Sequence, residues 1–168
     1  MKKTIITLIA VILVAMLPMQ ALAATCQYAT TQAFTDALDA QGIRYTWKGI
    51  DNDDDEQIDI SYNGDYKSSI VTHWYFDKDP ARIAVRVWNV ITYDPDNFYY
   101  VLAAVNDANS AYRYCRTYVD TSDNTVTVAF DMPITLDSVP VSCVDMVETV
   151  VSIVDEVYNR IRQYDTAA

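Results

Sequence analysis

Thr125-Val126-Thr127-Val128-Ala129-Phe130-Asp131-Met132 is the stretch that decides the fold class. Val126, Val128, Phe130 and Met132 alternate with Thr125, Thr127, Ala129 and Asp131. Successive side chains of a strand point to opposite faces, so this period of two builds one buried face and one wet face. A sheet that is wet on one side is typically antiparallel, with its cover of helices on the other side.

Working outward, the turn at 121–124 precedes this strand, and before the turn a second strand covers 113–119. Four more segments rich in β-branched and aromatic residues cover 43–48, 57–62, 69–76 and 82–90. The stretches between them, 51–56, Asn63-Gly64-Asp65 and 77–80, carry the Asp, Asn, Gly and Pro of turns. A first helix over 31–41 places Phe34, Ala37 and Leu38 on one side and ends at Gly42. Asp94 and Pro95 are a helix N-cap and first helical residue, followed by the apolar stripe Phe98, Val101, Leu102 and Val105. A last helix runs from 142 to about 163, with Ser142 and Asp145 in capping-box spacing. Cys143, Val147, Val150, Val154, Val157 and Ile161 form its core side, while Asp145, Glu148, Asp155 and Glu156 face away. The expected fold is α+β: a single antiparallel sheet of about six strands with helices packed on one face, in the order α-β-β-β-β-α-β-β-α.

The N-terminus has its own pattern. Lys2 and Lys3 precede an uncharged run from Thr4 to Ala23 that closes on Ala21-Leu22-Ala23, the small-x-small site of a signal peptidase. Residues 1–23 are expected to be a cleaved signal peptide, with 24–168 forming one domain. Pro18 and Gln20 interrupt the run, so a spanning anchor of about 20 apolar residues is disfavoured. Cleavage removes two lysines and no acid, which takes the formal charge of the 168-residue chain from −11 to −13. Such a surface repels phosphate backbones and anionic lipid, so nucleic acid and membrane insertion are not expected among its partners. The expected location is outside the cytosol: periplasm, cell envelope or medium. That compartment allows one disulfide among Cys26, Cys115 and Cys143, without choosing the pair.

Catalytic constellations are sparse. His73 is the one histidine, so any nucleophile–imidazole pair must recruit it. Cys115 and Cys143 lack a nucleophile motif around them, and no cofactor motif occurs. The acidic run at 51–56 puts Asp51, Asp53 and Asp55 where a calcium loop places its first ligands. Glu56 then stands where that loop needs Gly, and Tyr62 where it needs a bidentate Glu, so a solvated turn is the default reading. The aromatic and basic residues say more, for the chain holds 13 Tyr and 3 Trp. Strict alternation puts Tyr114, Arg116 and Tyr118 on one face of their strand, and Arg86 and Trp88 on one face of theirs. Tyr, Trp and Arg dominate binding hot spots, although the same pairs also merely stabilise a wet sheet face. The helix around Phe98 to Val105 carries Tyr99 and Tyr100 beside its stripe, a second apolar side that suits a homodimer.

Val105-Asn106-Asp107-Ala108-Asn109, followed by Tyr112-Arg113-Tyr114-Cys115-Arg116-Thr117-Tyr118-Val119-Asp120, resembles the signature of the YbjN-like bacterial family. That signature is a helix ending in two asparagines three apart, then a strand of alternating aromatic and basic residues ending in Asp. The resemblance implies a fold like that of type III secretion chaperones and a regulatory or protein-binding role, with no catalytic residues. The expected function is an exported, non-enzymatic protein- or peptide-binding module. A small-ligand or carbohydrate-binding protein using the aromatic sheet face comes second, and a hydrolase third.

Overall fold

The computed structural model describes residues 26–78 and 82–167. The expected signal peptide lies outside the described residues. Six strands are described: β1 (Thr46–Ile50), β2 (Glu56–Tyr62), β3 (Ile70–Phe76), β4 (Arg82–Thr92), β5 (Arg116–Asp120) and β6 (Thr125–Pro133). They form one antiparallel sheet in the order β1-β2-β3-β4-β6-β5. The helices are α1 (Ala29–Gln41), α2 (Phe98–Ala111) and α3 (Val139–Ile161). The α+β class, the single sheet and the element order are those the alternation predicts, but β6 is buried on both faces from Thr125 to Phe130, so its expected wet side is exposed only from Asp131.

One side of the sheet is greasy throughout. Ile58, Ile60, Trp74, Phe76, Ile83, Val85, Val87, Val126, Val128 and Phe130 are buried there in one cluster with Phe34, Val101, Val105 and Val147, Val150, Val154 and Val157 of α3. Phe34 of α1 stacks against Trp74 and Phe76 at centroid distances of 4.9 and 5.2 Å. The 23 residues of α3 cross over β3 and β4, with α1 beside it, and α2 packs on β5.

Element ends differ from the sequence pattern where backbone amides are already engaged. The first strand starts at Thr46 and not at Ile43, because the Ile43 amide closes α1 on the Leu38 carbonyl at 2.9 Å, beside Gly42 at φ +69°. The helix itself begins two residues earlier than expected. Tyr28 offers it no side-chain cap, and the carboxylate of Glu56 instead accepts the Gln27 and Tyr28 amides at 2.8 and 2.9 Å. The last helix starts at Val139 and not at Ser142. A 3-10 turn, Leu136–Ser138, precedes it, in which the Thr135 amide donates to Ser138 Oγ and that hydroxyl donates to the Thr135 carbonyl. Pro140 is tolerated in the first turn because amides there have no helical partner.

Asp155 corrects the expected polarity of α3. It does not face away: it is 6% exposed and turned onto the β2–β3 turn. Its carboxylate accepts the amides of Asp65 at 2.7 Å, Tyr66 at 3.1 Å and Lys67 at 2.8 Å. A Cβ on Gly64 would collide with that carboxylate, so glycine is required by the close approach. Hydrogen bonds to a charged group contribute about 1.5–3 kcal/mol. Asp155→Ala is expected to cost about 3 kcal/mol in urea unfolding. Ser152→Ala, one turn away and exposed, costs less than about 0.5 kcal/mol. Equal losses for the two variants would refute the clamp.

Candidate functional site

The wet face is organised in rungs. Thr46, Asp59, His73, Arg86, Ala129 and Arg116 stand opposite one another across all six strands. His73 Nδ1 lies 2.8 Å from Asp59 Oδ1, and the Gln57 side-chain amide reaches both, at 3.1 and 2.6 Å. Arg86 donates to the Val85 and Phe130 carbonyls at 2.9 and 3.0 Å and to Asp131 Oδ1 at 3.0 Å. Arg116 binds the other oxygen of Asp131. Burial alone would raise the Asp131 carboxyl, but the hydrogen bond and charge of Arg86, then those of Arg116, outweigh it and hold the group below the usual range.

Four of the five residues singled out from sequence share this face: Arg86, Trp88, Arg116 and Tyr118. Trp88 sits in a bulge where residues 88–90 oppose Thr127 alone, with Asn89 at φ +54°. Its indole N–H donates to Tyr75 Oη at 3.4 Å, across the His73–Arg86 rung. Tyr114 is placed elsewhere. The strand 113–119 expected from sequence begins only at Arg116, because α2 continues to Ala111 and the Tyr112 amide still bonds Ala108. Residues 113–115 carry the chain from the helix layer to the sheet, which leaves Tyr114 80% exposed beside a groove.

That groove, of about 760 Å³, is the feature sequence reasoning missed. One wall is the incoming chain, Arg113 to Arg116. The floor is the end of β6, Ala129, Asp131, Met132 and Pro133, and the other wall is Met146 and Thr149 of α3. It exists because β6 outruns β5. The last rung they share is Arg116 with Ala129, so residues 130–133 have β4 on one side and, among the described residues, no strand on the other. Alternate residues of an antiparallel strand point their amide and carbonyl to opposite sides. Thr117 points outward, where the Asn109 side chain donates to its carbonyl at 2.8 Å and accepts its amide at 2.7 Å. Arg116 and Ala129 therefore exchange bonds with each other, and Asp131, two residues on, turns its own amide and carbonyl toward the groove.

Nucleophile candidates are scattered. Cys115 lies at the entry to β5 and Cys143 inside α3, neither on the rung of His73. Burial pushes the Cys115 thiol up and the Cys143 thiol to about 12, so both stay protonated at neutral pH. Burial also raises the thiol of Cys26, and all three cysteines stand as free thiols. In the acidic loop, Asp51 Oδ1 accepts the Asp53 and Asp55 amides at 2.9 and 3.0 Å. Asp51 thus caps its own turn and Asp55 faces Asp77, so Asp51, Asp53 and Asp55 do not converge. Among the described residues no three His, Cys, Asp or Glu are grouped to hold a metal ion. On α2, Tyr99 and Tyr100 are exposed while Val101, Val105 and Ala108 are buried.

No family model matches the sequence, and the curated proteins give no significant match. Among solved structures the chain is similar to YbjN from E. coli, a proposed transcription regulator, with a TM-score of 0.47 and 13% identity. The alignment covers 72% of this chain and 85% of that one. The likeness is one of fold, and no functional residue is carried over from it.

Burial, then the neighbouring Asp77, lifts the Asp55 carboxyl to about 6. The folded chain thus holds this proton up to about pH 6, while the unfolded chain releases it near the ordinary value of 3.8. The stabilisation is full below that ordinary value and is lost as the pH rises through about 6. Asp55→Asn mimics the protonated form. It is expected to raise the melting temperature at about pH 7 and leave it unchanged near pH 3.5. A shift of the same size at both values would contradict this.

Proposed function

We propose that the chain is an exported, non-enzymatic binding module that takes an extended peptide segment of a protein partner into the groove beside β6. The observation that carries this reading is the unpaired stretch of β6, where Asp131 presents its amide and carbonyl beside Met132 and Met146. Strand addition to a free sheet edge draws affinity from main-chain bonds and selectivity from pockets for alternate side chains. Met132 and Met146 suit such pockets, since methionine adapts its shape to varied apolar partners. The expected leader at 1–23 supports a partner outside the cytosol, and the net negative charge disfavours nucleic acid.

A sugar on the wet face is the weaker reading. Trp88 is 47% exposed, yet the polar groups around it are bonded to one another: His73 to Asp59, and Arg86 to Asp131. A sugar needs free donors and acceptors beside the ring that it stacks on.

The test is retention of soluble random octapeptides on the immobilised chain. Retained peptides are expected to be rich in apolar residues. Thr149→Trp, which fills the groove from an exposed position, should abolish retention. Trp88→Ala should leave it unchanged. Equal recovery on the wild-type and Thr149→Trp columns would sink the peptide reading, and loss with Trp88→Ala alone would favour the aromatic face.

A further inference from the structure

The groove has a direction and a closed end, and together these specify which part of a partner enters. The free edge at residues 130–133 of β6 is about 13 Å long, room for roughly four residues of extended chain. At one end Pro133 has a carbonyl but no amide to extend a ladder. At the other end β5 fills the same lane from Arg116 onward, so a chain laid in the lane must stop there.

Orientation follows from the charges at that stop. A segment running antiparallel to β6 points its C-terminus at the first residue of β5, and a parallel one points its N-terminus there. Arg113 and Arg116 both line the groove where the chain enters β5. The Arg116 side chain is 73% exposed, and the Asp131 that it touches is already shared with Arg86. Two guanidinium groups thus share one carboxylate, and Arg113 adds a third cationic side chain to the lining, in a chain whose formal charge is −11. The closed end accepts a carboxylate and repels an ammonium group.

We propose that the groove binds the free C-terminal tail of a partner protein, about four residues laid antiparallel to β6, with its terminal carboxylate on Arg113 and Arg116. This rests on the peptide-binding reading above. Residues opposite Phe130 and Met132 fall on the helix side of the sheet, toward Met146. The last and third-from-last residues of the tail are therefore apolar. The residue between them lies on the wet side with Asp131 and Arg116, where polar groups are accepted.

The probe is a bead-displayed tetrapeptide library anchored through its N-terminus, made once as free acids and once as C-terminal carboxamides. Wild-type chain is expected to select free acids with apolar last and third-from-last residues, and to lose roughly tenfold or more in affinity for their carboxamides. The double variant Arg113→Gln, Arg116→Gln should keep the wild-type melting curve and bind both forms alike and weakly. Equal selection of acids and carboxamides by the wild type overturns the tail proposal and leaves the peptide-binding reading standing. Selection of neither form above Thr149→Trp overturns both.

Discussion

The side chain of Asn109 decides where the sheet ends. Its amide takes both backbone groups of Thr117, at 2.8 and 2.7 Å, as a neighbouring strand would. An exposed strand edge is a template for uncontrolled pairing, and a side chain that satisfies it removes that liability. The same two bonds fix the phase of β5. With Thr117 turned outward, Arg116 must pair with Ala129, and the next outward-facing residue of β6 is Asp131. Because α2 holds the chain until Ala111, β5 starts too late to cover that residue. The covered edge and the open groove have one origin.

Two carboxylates tie distant parts of the chain to this frame. Glu56 is fully buried in β2 and accepts the Gln27 and Tyr28 amides and the Trp47 indole N–H, the last at 2.8 Å. Asp155, in α3, gathers three amides of the β2–β3 turn. In both cases an acid collects backbone donors that have no strand or helix partner, and it does so across 28 and about 90 positions of sequence. Charge-assisted bonds of this kind are about twice as strong as neutral ones, and they also satisfy the buried carboxylate itself. A chain with an excess of acids thus uses some of them as internal fasteners, while the rest keep its surface repulsive to other anions.

Periodicity made the architecture legible. The alternation in 125–132 fixed one face as buried, and the three- and four-residue steps of Val147, Val150, Val154 and Val157 fixed the core side of α3. Both patterns record a single property, burial on one face, that every residue of the element shares. The element ends were less legible because they depend on partners far away. The start of α1 rests on Glu56, and the start of β5 on how far α2 continues. The candidate site was half legible. Alternation grouped Tyr114, Arg116 and Tyr118 on one strand and Arg86 and Trp88 on another, but it could not reveal that the two strands bring four of them to one face, that Tyr114 lies elsewhere, or that Asp131 engages both arginines. The groove was not legible, because it is made by the difference in length between two strands and by the crossing of α3. A hint lay in the sequence. Pro133 follows Met132 directly, and a proline at the end of a strand is the mark of an edge that is open to solvent.

The two outer strands show how little of the sheet edge is left open for general pairing. At the far side of the sheet β1 is short, and the bulge at Gly49, φ +93°, breaks its register with β2. A bulged edge twists away from flat pairing. At the near side Asn109 closes β5. What remains open is the end of β6, limited by Pro133 on one side and by Arg116 on the other. Long strands that drive aggregation need many consecutive main-chain bonds, and this lane offers the amide and carbonyl of Asp131 and little more. Affinity must then come from side chains against Met132 and Met146 and from charge at the closed end. On the proposed peptide-binding reading, a site with so few backbone bonds rejects generic β-strands and accepts only a ligand that supplies the rest.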